Sequence, residues 1–251
     1  MPDWFRGRGE TNVDIFSVEP NLPRVMPSLP PLLTSHGSLL VLDAASTCTQ
    51  VGLLRSGAPA RWHQTMEEAG TGIFHGVAAV LKEADSSLDA IGAFVFCEGP
   101  GSMLGTRTIA MALRTWQVLK PRPVYAYRSL AVAGRLEWTR RPRSFTVIAD
   151  ARREAWHCQP VDSNGKPRPL ERRPTAGLPA GELVTPENFR AWTPLPANAA
   201  SCSYDLAQIF PALADGDFFS VMAAPDALRA EAPDYRKWSA QIHRAPAARG
   251  P

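Results

Sequence analysis

Phe94-Val95-Phe96-Cys97-Glu98-Gly99-Pro100-Gly101-Ser102-Met103-Leu104-Gly105-Thr106-Arg107 is the stretch on which the fold turns. Ile91 to Cys97 is an apolar, β-favouring run of strand length, and it stops at Gly-Pro-Gly, which neither a helix nor a central strand continues through. Ser102 then stands where a helix N-cap is wanted, its hydroxyl able to accept from a free N–H of the first turn. Beyond it Leu104, Ile109, Ala112, Leu113, Trp116 and Leu119 recur mostly three and four apart, the period of a helix. The stretch reads as strand, glycine turn and helix N-terminus, and such a terminus favours an anion or a partner's acceptor.

Working outward, 251 residues hold one large domain or two small ones. The apolar share of 45% is that of an ordinary globular protein, and a net charge of +3 permits contact with acidic partners without arguing for it. Cys48, Cys97, Cys158 and Cys202 are widely spaced and form no CxxC, which predicts reduced, buried thiols of a cytoplasmic protein rather than a disulfide or zinc frame. No apolar run reaches membrane-spanning length, and no apolar segment follows the N-terminal charges as in a secretory signal, so no membrane partner is expected.

Residues 1–37 hold Pro2, Pro20, Pro23, Pro27, Pro30 and Pro31 without a sustained period. They are expected to form a disordered or extended arm, with a strap docked on a partner or on the domain itself as the alternative. A first lobe is expected over 38–140. It opens with the strand Leu39-Leu40-Val41-Leu42, closed by Asp43. A meander through a Ser56-Gly57 turn follows, then a helix between Met66 and Ala84 whose start Gly70 and Gly72 are expected to delay. Then come the central stretch, a short strand Val124–Tyr127, and a helix Leu130–Trp138 capped by Ser129.

A second lobe is expected over 141–236, opening with Phe145–Ala149 and its hairpin partner Ala155–Val161. Loops with one or two short strands are expected over 162–197, a helix over Ser203–Leu213 and a strand over Phe218–Met222, with 237–251 a flexible tail. Both halves open with an apolar strand closed by Asp-Ala, at Asp43-Ala44 and Asp150-Ala151. This weak internal repeat, if real, implies two related lobes with the two aspartates facing a shared cleft.

Val41-Leu42-Asp43-Ala44-Ala45-Ser46-Thr47 resembles the opening of the TsaB (YeaZ) family, and Gly99, Pro100, Gly101, Ser102, Gly105 and Arg107 match its G-P-G-S-F-T-G-L-R signature. Tyr127-Arg128-Ser129-Leu130 looks like the family's V-S-S-L, Asp150-Ala151-Arg152-Arg153 like its D-A-R-R, and Ala232–Arg236 like a degraded P-x-Y-L-R. Met103-Leu104 stands for the family's Phe-Thr, and Ile73-Phe74-His75-Gly76 replaces its His-Ser. The resemblance implies an actin-like (ASKHA) α/β fold of two related lobes, the second reduced. It also implies a non-catalytic scaffold subunit in tRNA threonylcarbamoyladenosine synthesis. The implied partners are a TsaD-like catalytic subunit and a TsaE-like ATPase, with tRNA reached indirectly through the complex. ATP or ADP at the partner interface is the only cofactor in view.

On that reading the two first-lobe helices dock on the partner through Phe74, His75 and Val77 on one and Met111, Arg114 and Trp116 on the other. Met, Trp and Arg are enriched at interfaces, while the competing reading is ordinary lobe core. Asp43, Gly99, Gly101 and Ser102 are the candidates for a residual nucleotide site; against this, Asp43 reads as a turn aspartate and the glycines as a forced turn that aims the helix. His36, His63, His75, His157 and His243 make no His-x-x-x-His pair, so no metal is expected. Cys97 reads as a small core residue. The alternatives kept open are a self-sufficient nucleotide-dependent enzyme or peptidase of the same fold, and a homodimer through the same helices.

Overall fold

The computed structural model describes residues 27–229. The expected tail 237–251, the Ala232–Arg236 motif and residues 1–26 of the expected arm lie outside them.

Two sheets share one topology. In the first, β1 (Ser38–Asp43), β2 (Thr49–Arg55) and β3 (Arg61–Thr65) form the antiparallel meander read from the sequence. β4 (Ala93–Gly99) then lies parallel to β1, and β5 (Val124–Arg128) parallel to β4. In the second, β6 (Phe145–Asp150), β7 (Ala155–Val161) and β8 (Glu171–Pro174) repeat the meander. β9 (Leu183–Pro186) lies parallel to β6, and β10 (Ala199–Cys202) parallel to β9. Both sheets therefore run third, second, first, fourth, fifth in order of appearance. The internal repeat signalled by two Asp-Ala pairs is a repeat of the fold. The second copy is reduced: a single 3-10 turn, Thr175–Gly177, bridges β8 and β9, where the first lobe has a long helix, α2 (Ala69–Glu83), between β3 and β4.

Strand alternation explains why β1 and β4 are apolar throughout. Leu40, Leu42, Phe94 and Phe96 point to one face of the first sheet, where they meet Ile73 and Val80 of α2 and Ile109 and Leu113 of α3 (Met103–Leu119). Leu39, Val41, Val95 and Cys97 point to the other, against Val132 and Leu136 of α4 (Ser129–Arg140) and Phe210 of α5 (Leu206–Ala212). A sheet covered on both faces needs apolar residues at every position. α4 also serves the second sheet: Leu130 packs with Val147 and Val184. A Cβ on its Gly134 would stand 2.7 Å from the Val161 side chain, so the helix rides close on that sheet.

Four expectations are corrected. Residues 29–36 are not an extended arm but a helix, α1 (Leu29–His36), whose Leu29 and Leu32 enter the core. Pro30 and Pro31 read as breakers, yet they stand in the helix's first turn, where their missing N–H groups have no intrahelical partner to lose. Gly70 and Gly72 do not delay α2; both lie inside it. Ser129 is the first residue of α4 rather than its cap, and its hydroxyl donates to the Pro100 carbonyl at 2.5 Å. The boundary between 38–140 and 141–236 is also crossed, because Phe210, Phe218 and Phe219 fill the first lobe's core. β11 (Ser220–Val221) completes the first sheet beside β5.

Candidate functional site

The glycine turn is built for close backbone approach. Ser102 caps α3 through Gly105 N–H at 3.3 Å, as its position after Gly-Pro-Gly predicts. Its own N–H donates to the Ala45 carbonyl at 2.6 Å, tying the helix start to the turn after β1. A Cβ on Gly101 would stand 2.9 Å from the Ala45 carbonyl carbon, and one on Gly105 would stand 3.0 Å from that of Ala44, each with the carbonyl oxygen nearer still. Gly101 also holds φ 152, which side chains avoid. Gly101 and Gly105 thus dock α3 onto the Ala44-Ala45 turn.

Asp43 does not face an open cleft. It is fully buried, and its Oδ2 accepts from the hydroxyls of Tyr127 and Tyr204, both at 2.6 Å, while Oδ1 accepts from Ala45 N–H at 2.8 Å. Burial raises its pKa above the ordinary carboxylate value, against the lowering by Tyr127, Tyr204 and Ala45. Thr47, in the same turn, donates through N–H and hydroxyl to the Asn188 carbonyl of the second lobe, at 2.8 and 3.1 Å, so the turn is latched shut. Asp150, at the equivalent end of β6, is half-buried; its Oδ1 accepts from Arg152 N–H and its Oδ2 from the N–H groups of Trp192 and Thr193. The four residues proposed for a nucleotide therefore separate: Gly99 and Gly101 line a cavity, and Asp43 and Ser102 do not. Cys97 is buried beside Tyr204, and burial pushes its thiol well above the usual range, which suits a core residue and not a nucleophile.

The cavity has about 550 Å³ and lies between the 99–101 turn and the 151–153 turn of the second lobe. Arg107, Arg152, Arg153, Arg172 and Arg229 line it, against the carboxylates of Glu98 and Asp226. Both carboxylates are already engaged, Glu98 with Arg128 at 3.0 Å and Asp226 with Arg229 at 2.8 Å. Among the described residues no group of three or more His, Cys, Asp or Glu side chains is arranged to hold a metal, and no helix is long and apolar enough to cross a membrane.

No family model matches the chain. No curated protein matches it either. Solved structures do. YeaZ from Pseudomonas aeruginosa superposes with a TM-score of 0.56 at 21% identity, over 71% of this chain and 90% of its own. The fold is that of YeaZ. An uncharacterized protein from Pseudomonas aeruginosa described as similar to peptidase YeaZ matches with the same figures. An activator of 2-hydroxyisocaproyl-CoA dehydratase from Clostridium difficile, with bound ADPNP, is more distant, with a TM-score of 0.35 at 14% identity, over 55% of this chain and 46% of its own. The α/β class of two related lobes, the second reduced, is the class observed.

In this YeaZ-like fold the outer face of α3 carries a row of exposed apolar side chains, with Phe74 of α2 beside Trp116. Leu104, Met111 and Val118 stand seven apart on α3 and are 77%, 57% and 84% exposed. Thr108 and Thr115 fall between them, giving the alternating four–three spacing of a helix-pairing seam. Phe74, 48% exposed, extends the seam across from α2, its ring edge-on to Trp116 at 6.2 Å. Of the six expected interface residues, Phe74, His75 and Met111 are at the surface. Arg114 is also at the surface but pinned, donating to Pro225 O at 2.6 Å and pairing with Asp226 at 3.6 Å. Val77 and Trp116 are corrected to core: they are 7% and 8% exposed and pack under the seam. Leu104 and Leu119, two members of the helical period read from the sequence, are both 77% exposed. Leu104 falls on the same outward stripe as Met111 and Val118, turned away from the face that Ile109, Leu113 and Trp116 present to the core.

Proposed function

We propose that this protein is a scaffold subunit that docks its α2–α3 face on a TsaD-like partner of the same fold and supports threonylcarbamoyl transfer to the adenosine beside the tRNA anticodon. The observation that carries the reading is the exposed seam of Leu104, Met111 and Val118 with Phe74, on helices otherwise anchored by a well-filled core. Apolar side chains at heptad spacing on a solvent face suit a second helix pair. A TsaE-like ATPase and ATP or ADP at the interface belong to the same proposal, as does a cytoplasmic setting. tRNA is met through the assembled complex.

The carboxylate an actin-like enzyme would turn to phosphate or metal is here enclosed by two tyrosines, which favours the scaffold over a self-sufficient enzyme. The test is reconstitution of the modified tRNA from purified TsaD-like and TsaE-like proteins, ATP, a threonylcarbamoyl donor and this chain. The product is expected to form only when this chain is present. Full activity without it would refute the scaffold role, and threonylcarbamoyl transfer by this chain alone would refute the non-catalytic one. A homodimer through the same seam would compete with the partner, so activity would then fall as this chain is added in excess.

A further inference from the structure

The exposed row on α3 has an occupant available within the chain itself. After β11 the backbone turns back and runs antiparallel to α3, along its flank. Met222 N–H donates to the Val124 carbonyl at 2.9 Å, beyond the helix's C-terminal end. The Arg114 guanidinium donates to the Pro225 carbonyl at 2.6 Å and pairs with Asp226 at 3.6 Å, part-way along the helix. Leu228 N–H donates to the Glu98 carbonyl at 2.7 Å, before the helix begins. Ala227, between these anchors, is buried. The chain is thus delivered to the N-terminal end of α3: Arg229 and Met103 line one cavity, and Leu104, the first residue of the seam, follows Met103.

Residues 230–251 continue from that point. Within them Tyr235, Trp238 and Ile242 stand three and four apart, so a helix would carry all three on one face and turn Arg236 and Lys237 away. Pro233-Asp234, immediately before, is a helix-start signal with the aspartate as cap. The lengths agree. Residues 230–233 reach at most about 13 Å, a helix over 234–243 spans about 15 Å, and the seam from Leu104 to Val118 about 21 Å. A segment tethered this closely acts at an effective concentration of about millimolar, so it outcompetes a second copy of the chain for the same face. We propose that residues 234–243 pack as an amphipathic helix along the Leu104–Met111–Val118 seam of their own chain and cover it until a partner displaces them. Displacement rests on the reading of that seam as the docking face; the covering itself does not.

The test treats the full chain with dilute hydrogen peroxide and follows methionine oxidation by peptide mass spectrometry. Met66 and Met111 are 66% and 57% exposed on residues 27–229 alone, so similar rates follow if nothing else lies over them. Met111 is expected to oxidise several-fold more slowly than Met66, by a ratio that does not change with protein concentration. Trp238→Asp with Ile242→Asp should bring Met111 up to the Met66 rate, and Arg236→Gln, on the opposite face, should leave it slow. The proposal is overturned by equal rates in the parent, by protection that persists in the double variant, or by protection that fades on dilution, which would make a second copy the cover. Calorimetric titration with a TsaD-like partner then reads displacement: the double variant should bind several-fold more tightly than the parent, and equal affinities would refute it. A partner that binds neither protein would strike the docking reading alone, and the contrast in Met111 oxidation between parent and variant would still carry the covering.

Discussion

Gly105→Ala offers the sharpest reading of why the signature stretch has its form. In a helix interior this substitution ordinarily stabilises by about 0.5–1 kcal/mol, because alanine has the better helix propensity. Here the new Cβ would stand 3.0 Å from both the carbonyl carbon and the Cβ of Ala44, with the carbonyl oxygen nearer still. Ala44 is backbone and buried, at the end of a fully buried strand, so no rotamer change relieves the contact. Overpacking of this kind costs about 1–3 kcal/mol, and contact with fixed backbone belongs at the upper end. The net expectation is a loss of about 2 kcal/mol. Gly70→Ala in α2 is the control: nothing lies within 4 Å of its Cβ position, so it should gain about 0.5–1 kcal/mol. Urea unfolding followed by far-UV circular dichroism measures both. A Gly105→Ala protein as stable as the parent would refute the account of the glycine turn as a backbone-to-backbone joint.

Trp116→Ala should cost about 3–5 kcal/mol in the same assay, since the ring fills the space between Phe94 and Phe74 under the seam; a loss under 1 kcal/mol would return it to the surface. Asp43→Asn leaves at least one buried tyrosine hydroxyl poorly matched and should cost about 1–3 kcal/mol. It should also change the pH profile. Asp43 has a folded pKa raised above its reference value of 3.8, so its contribution is fully present below that value and is lost as pH rises through the folded pKa. The parent should therefore lose stability over that interval relative to Asp43→Asn, and parallel pH profiles would count against the buried carboxylate.

Much of the fold was legible because the deciding signals are local. Apolar runs ending in Asp-Ala marked both first strands, and Gly-Pro-Gly-Ser marked a strand-to-helix joint; the topology repeats around them. What sequence could not supply was which face each residue meets. Leu104 and Trp116 both belong to the helical period, yet one is solvent-facing and the other core, because twelve residues of helix turn them about 120° apart. Pro30 and Pro31 misled for a related reason: the same residue that breaks a helix interior suits its first turn. The arginine-lined cavity was invisible in sequence, since Arg107, Arg153 and Arg229 come from three separate segments. Only the Asp-Ala-Arg-Arg run pointed to it, and that run gave no hint that Arg107 stood opposite.

The measurement that bears most directly on the scaffold account is the affinity of a TsaD-like partner for this chain and for its Leu104→Asp, Met111→Asp double variant, by isothermal titration calorimetry. Both side chains are exposed, so stability should hold within about 0.5 kcal/mol. If the seam is the docking face, two interface anchors are lost and affinity falls at least about a hundredfold. Undiminished affinity in a folded double variant would contradict it.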